Sequence, residues 1–162
     1  MSKSDIISIY DKSPKIAILE STFAARKKSQ ATGLVGSALS FVMHSLFKKA
    51  ELPLLILFRN KEEAAYYLND LEQLLNSEDV LFYPSSYRRP YQIEETDNAN
   101  ILLRAEVLNR INSRKKPAII VSYAEAIFEK VVTRKELEKN TLKLSVEDKL
   151  SIDFINETLF EY

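Results

Sequence analysis

Both glycines of the chain fall in one short stretch, Gly33-Leu34-Val35-Gly36-Ser37-Ala38-Leu39-Ser40, so the freedom that a missing Cβ confers is concentrated at a single turn. The outline is that of a phosphate-binding loop, G-x-x-x-x-G-K-[ST]. In that loop backbone N–H groups cradle the phosphates, the lysine reaches the outer ones and the hydroxyl holds Mg²⁺. Gly33 and Ser40 fit the first and last positions. Ala38 stands where the second glycine belongs, and its Cβ crowds a backbone that has to approach an anion. Leu39 stands where the lysine belongs. A unit charge about 4 Å from a phosphate contributes roughly 4 kcal/mol at an effective dielectric of about 20, before desolvation. Its loss weakens binding by up to roughly a thousandfold. A glycine-containing turn that leads into a helix, with no phosphate-binding past, would read the same over these eight residues.

Around the turn, short apolar runs alternate with helical patterns. Residues 5–28 carry Ile6, Ile7, Ile9 and Tyr10, then Ile16, Ile18, Leu19 and Phe23, divided by Ser13-Pro14. This predicts two short helices in a lead-in segment, residues 1–28. Residues 30–34 read as a first strand. From Ser37 to about Lys49 a helix places Leu39, Val42, Met43 and Leu46 on one face, with Ser37, Ser40, His44 and Lys48 away from it. Leu52-Pro53-Leu54-Leu55-Ile56-Leu57-Phe58 is too short for a helix of its own and suits a strand buried on both faces. Asn60 caps the next helix, and Glu63 takes the reciprocal position of a capping box. Residues 80–83 form a strand, residues 97–112 a helix and residues 117–121 another strand. The alternation predicts an α/β fold with a doubly wound, mostly parallel sheet over residues 29–132. Beyond about Thr133 charges become dense. Leu142 and Leu144 alternate in a short strand, and Ser151 caps a last helix. Residues 133–162 therefore read as the start of a small second α+β unit, cut from something longer.

The 23 lysines and arginines balance the 23 aspartates and glutamates, so no global field draws in nucleic acid or an acidic membrane. The absence of cysteine excludes disulfides, thiolate metal sites and cysteine nucleophiles and suits a reducing cytoplasm. No apolar run approaches the roughly 20 residues of a membrane-spanning helix, and no secretory signal opens the chain. A cytoplasmic protein is expected.

The order of these features resembles the N-terminal, UvrB-like module of bacterial transcription-repair coupling factors (the Mfd family). Four blocks carry the resemblance from about Ser21 onward: Gly33-Leu34-Val35-Gly36-Ser37 before a helix, Leu54-Leu55-Ile56-Leu57 followed by Asn60-Lys61-Glu62-Glu63-Ala64-Ala65, Phe82-Tyr83-Pro84-Ser85-Ser86-Tyr87, and Ile119-Ile120-Val121-Ser122. The resemblance implies a RecA-like fold of the phosphate-loop type. UvrB-type proteins keep an intact phosphate loop, whereas Ala38 and Leu39 depart from it, so the implied module has no catalytic residues and no nucleotide or metal of its own. ATP and Mg²⁺ belong to a translocase motor elsewhere in such proteins. Only residues 88–96 follow the Tyr87 block before the next helix, too few for the long DNA-gripping hairpin of UvrB. The implied role is a UvrB-mimicking scaffold that engages UvrA, with its main contacts beyond Tyr162. It would also touch the motor, while RNA polymerase and DNA are handled by other parts.

Other clusters carry two readings. Tyr87, Arg88, Arg89 and Tyr91 interleave aromatic and basic groups, as a nucleic-acid or partner contact does. They read equally as a turn stiffened by Pro84 and Pro90, with the arginines paired to Glu94 and Glu95. His44 is the single histidine, which rules out a two-histidine metal site, and its place opposite the apolar stripe predicts exposure. Glu62-Glu63 suits a helix N-terminus better than acid–base work, since neighbouring side chains on a helix point apart. An active, ATP-dependent nucleic-acid enzyme whose loop tolerates Ala38 and Leu39 is the competing function.

Overall fold

The computed structural model describes residues 2–50, 52–87, 97–114, 116–139, 149 and 151–160. The chain divides into two compact units, Met1–Lys130 and Val131–Tyr162. In the first, α1 (Lys3–Asp11) opens on a capping box. The Ser2 hydroxyl accepts the Asp5 N–H, and the Asp5 carboxylate accepts the Ser2 N–H. α2 (Pro14–Ala24) starts on its proline, whose missing N–H costs nothing in a first turn. After the glycine turn comes α3 (Ala38–Ala50), then β1 (Leu54–Phe58), α4 (Lys61–Leu74), β2 (Val80–Tyr83), α5 (Asn98–Ser113), β3 (Ile119–Tyr123) and α6 (Ala124–Phe128). The second unit shows α7 (Arg134–Lys139), capped by Thr133, and α8 (Ile152–Phe160), whose Phe154 N–H is accepted by the Ser151 hydroxyl. The strand expected around Leu142 and Leu144 lies outside the described residues. Among the described residues no helix is long and apolar enough to cross a membrane.

The fold is α/β, and the three strands form a parallel sheet in the order β1-β3-β2. The connections place helices on both faces. α4 covers the face of Leu54, Ile56 and Phe58, where Phe58 stacks on Tyr67 at 4.7 Å. α5 covers the opposite face over β2, with the Arg104 guanidinium 4.2 Å from the Tyr83 ring centre. Ile119 and Val121, on the central strand, are fully buried. Burial of such side chains stabilises by about 1.5–3 kcal/mol each.

Three expectations need correction. Residues 30–34 form no strand. A five-residue segment is held as a strand only by ladder bonds to a neighbour, and β1, at the sheet edge, does not pair with it. Second, β1 is not buried on both faces, because Leu55 is 55% and Leu57 54% exposed. α5 lies over β2, so the edge strand is covered on the α4 side alone. Third, the polar side of α3 is largely buried, and only Lys48 and Lys49 at its end are exposed. Leu39 and Met43 pack toward the main core, while Val42 and Leu46 join Ile16 of α2 in a second cluster. Held between α4 on one side and α1 and α2 on the other, α3 buries Ser40, His44 and Ser45 as well.

Candidate functional site

The glycine turn keeps the backbone geometry that only glycine adopts without strain. Gly33 has φ +78° and Gly36 has φ +56°. A Cβ at either position would meet nothing within 4 Å, so the turn is open on that side. It is fastened to α4 by tyrosines: Tyr67 donates to the Gly36 carbonyl at 3.4 Å, and the Ser37 and Tyr66 hydroxyls lie 3.3 Å apart. Ala38 begins α3, its N–H bonded to the Val35 carbonyl at 3.2 Å. Leu39, at the lysine position, packs against the main core. Ser40, at the Mg²⁺-ligand position, is 1% exposed and donates to Asp70 at 3.1 Å. The hydroxyl is thus buried against a carboxylate, which repels phosphate. The turn joins six residues flagged in the sequence: Gly33, Gly36, Ser37, Ala38, Leu39 and Ser40.

At the carboxyl ends of β2 and β3, where open α/β sheets place their ligands, a polar network occupies the space. The Glu129 carboxylate accepts from the Ser86 N–H at 2.8 Å, from the Ser85 hydroxyl at 3.0 Å and from the Ser86 hydroxyl. Arg104 faces it at 3.5 Å and donates to the carbonyls of Pro84, at 2.7 Å, and Ala126, at 3.2 Å. The Tyr123 hydroxyl accepts the Ser85 N–H at 2.9 Å. Burial on its own would raise the Glu129 pKa. The Ser86 hydrogen bonds, the Arg104 charge and Ser85 outweigh it and hold the carboxyl below its ordinary value. Burial pushes the Tyr83 and Tyr123 hydroxyls up. The network pins the Pro84–Tyr87 turn to the end of β3, and within it Arg104 Nη2 has the Glu129 charge at 3.5 Å but no hydrogen-bond partner among the described residues. Sequence reading missed it. One available signal was a charged residue, Arg104, three positions from Val107 on the buried side of α5.

Of the aromatic and basic cluster only Tyr87 is described. It borders a shallow depression of about 580 Å³ with Ser85, Glu125, Phe128 and Lys130. Arg88, Arg89 and Tyr91, with Glu94 and Glu95, lie outside the described residues. His44 is 7% exposed, contrary to the expected surface position, and among the described residues its Nδ1 has no hydrogen-bond partner. Burial lowers its pKa, opposed by Asp11 and assisted by Lys48 and Lys3. Glu63 does reach back from α4, but to the Arg59 N–H at 3.2 Å, while Asn60 accepts the Glu63 N–H at 2.9 Å. Among the described residues no group of three or more histidine or carboxylate side chains is arranged to hold a metal ion.

A transcription-repair-coupling factor of Rickettsia bellii is 28% identical to the chain over 122 residues. The match covers 75% of this chain and 11% of the relative, so the chain spans about one ninth of that protein's length. The likeness supports a relation to the transcription-repair coupling family. No family profile matches the chain, and no solved structure matches it.

Proposed function

We propose that this chain is a non-catalytic, UvrB-like docking module with a RecA-type fold and a degenerate phosphate loop, working in transcription-coupled DNA repair. The likeness to a transcription-repair-coupling factor supports this reading, in which the parent protein releases stalled RNA polymerase with an ATP-driven translocase. In this reading the module contributes surface for UvrA and for the motor, and chemistry is performed elsewhere. One observation carries the loss of nucleotide binding: Leu39 packs inward at the lysine position while the neighbouring Ser40 hydroxyl is held by Asp70. Neither a cation nor an accessible hydroxyl then meets a triphosphate at the turn.

Titration calorimetry with Mg–ATP tests this half of the reading, with millimolar affinity or none expected. Micromolar binding would overturn it in favour of a working nucleotide-dependent enzyme. Size-exclusion chromatography with UvrA tests the partner. Co-elution supports the module reading, and separate elution of the two proteins at concentrations of tens of micromolar would count against this chain holding the contact.

A further inference from the structure

Electrical neutrality of the whole chain hides a separation of charge. Residues 1–50 hold 8 lysines and arginines against 3 acids, a net of +5, while residues 51–162 hold 15 against 20, a net of −5. The positive part includes a groove of about 420 Å³ between α2 and residues 30–34. That volume lies within the roughly 300–1,000 Å³ of ordinary ligand clefts. Ile16, Ile18, Leu19 and Leu34 supply apolar walls, and Lys15 and Gln30 stand among the polar lining groups. Arg26, Lys27 and Lys28 are exposed just before the segment that lines it, and among the described residues none of them, nor Lys15, makes an ion pair.

The segment itself supplies the second observation. Among the described residues the backbone of residues 28–34 makes no hydrogen bond, although every residue in it is exposed and lies beside an apolar trough. Unpaired N–H and C=O groups next to side-chain pockets recognise polypeptide, the main chain giving affinity and the pockets selectivity. Nucleic acid would need phosphate contacts joined to aromatic faces for base stacking. The one aromatic residue of the groove, Tyr10, is already stacked on Phe41 at 5.2 Å. We propose that the groove between α2 and residues 30–34 docks an acidic segment of a partner protein, whose apolar side chains enter the trough while its carboxylates meet Lys15, Arg26, Lys27 and Lys28. The site lies on the helical lead-in of the chain and does not depend on whether the glycine turn ever bound nucleotide.

The probe is a fluorescein-labelled synthetic peptide alternating glutamate with leucine and valine. Its comparators are a twin with lysine for glutamate and a labelled oligothymidylate, each followed by anisotropy at low and moderate salt. The acidic peptide is expected to bind at least about tenfold tighter than its basic twin and to weaken as salt screens the pairing. Amide shifts in a ¹⁵N spectrum should centre on residues 28–34. The variant Lys15→Glu/Lys27→Glu/Lys28→Glu should lose at least about tenfold, with its melting temperature checked against the parent. Thr32→Pro, which removes one N–H without touching a charge, should weaken the peptide independently. Equal binding of the two peptides, preference for oligothymidylate, shifts centred elsewhere, or no binding at millimolar peptide would each overturn the proposal.

Discussion

Ser40 donates its hydroxyl proton to Asp70 across 3.1 Å, which ties the first turn of α3 to α4 and gives the would-be magnesium ligand an acidic neighbour. One side-chain pair thus does two things. It holds the two helices in register, and it sets a negative charge beside a turn whose outline suits an anion. Writing the missing phosphate-loop letters into the turn leaves both effects in place. Ala38→Gly with Leu39→Lys is expected to give no measurable ATP turnover, and turnover above the parent in a phosphate-release assay would refute this. The double variant should also melt lower than the parent, because Leu39 packs on the main core and glycine at the start of α3 weakens the helix by roughly 1 kcal/mol.

Arg104 and Glu129 form the most buried ion pair among the described residues, with side chains 8% and 12% exposed. Removing one partner leaves the other charge buried alone, which typically costs about 3–5 kcal/mol. Arg104→Ala should fall in that range by urea denaturation, since it also abandons the carbonyls of Pro84 and Ala126. Arg104→Met with Glu129→Gln, which removes both charges together, should cost clearly less. An equal or larger loss in the double variant would show that the hydrogen bonds to the turn, rather than charge balance, are what the site supplies.

The alternation of apolar runs and helical patterns was enough to place β1, β2, β3, α4 and α5, because each of these is decided by its own residues and the period of its burial. Properties that depend on neighbours were less legible. Residues 30–34 have strand-like composition, yet a strand needs a flanking strand. β1 is apolar at every position from Leu54 to Phe58, which conceals that only one of its faces is covered. His44 sits on the polar side of a single-stripe helix, and only the packing of α1 against α3 reveals that this side is buried too. At the candidate site, the departure of Ala38 and Leu39 from the phosphate-loop pattern was readable position by position. The Asp70 contact joins residues 30 apart and the Ser86–Glu129 contact residues 43 apart, and no local spacing rule connects them.

The two faces of the sheet predict opposite responses to truncation. Ile119, 0% exposed on the central strand, should lose about 2–5 kcal/mol as Ile119→Ala. Leu55 and Leu57, each more than half exposed, should tolerate Leu55→Thr and Leu57→Thr within about 1 kcal/mol, since little apolar area returns to water. Polar substitution on an apolar edge strand should also reduce self-association on concentration. Light scattering and urea melts measure the two effects. A loss at Leu57 as large as that at Ile119 would mean that this face is covered in solution.

Two buried or nearly buried titrating groups should contribute to the acid limb of stability, in separate windows. His44 has its pKa lowered in the folded chain, primarily by burial, from an ordinary value of 6.5. The unfolded chain therefore takes up a proton that the folded chain resists, and stability falls as pH drops below about 6.5. Glu129 has a folded pKa below its ordinary value of 4.5, because the hydrogen bonds of Ser86 and the Arg104 charge outweigh its burial. Its contribution is complete above about 4.5 and is lost as pH falls through the folded value. Denaturation midpoints measured from pH 7.5 to 3.5 should therefore decline in two stages. His44→Leu should flatten the upper stage and leave the lower one, while Glu129→Gln should leave the upper stage and soften the lower, which Asp5 and Glu136 share through their own lowered pKa values, at reduced overall stability. If His44→Leu leaves the slope between pH 7 and 5.5 unchanged, the imidazole is solvated in solution and the packing of α1 against α3 is looser than the buried ring implies.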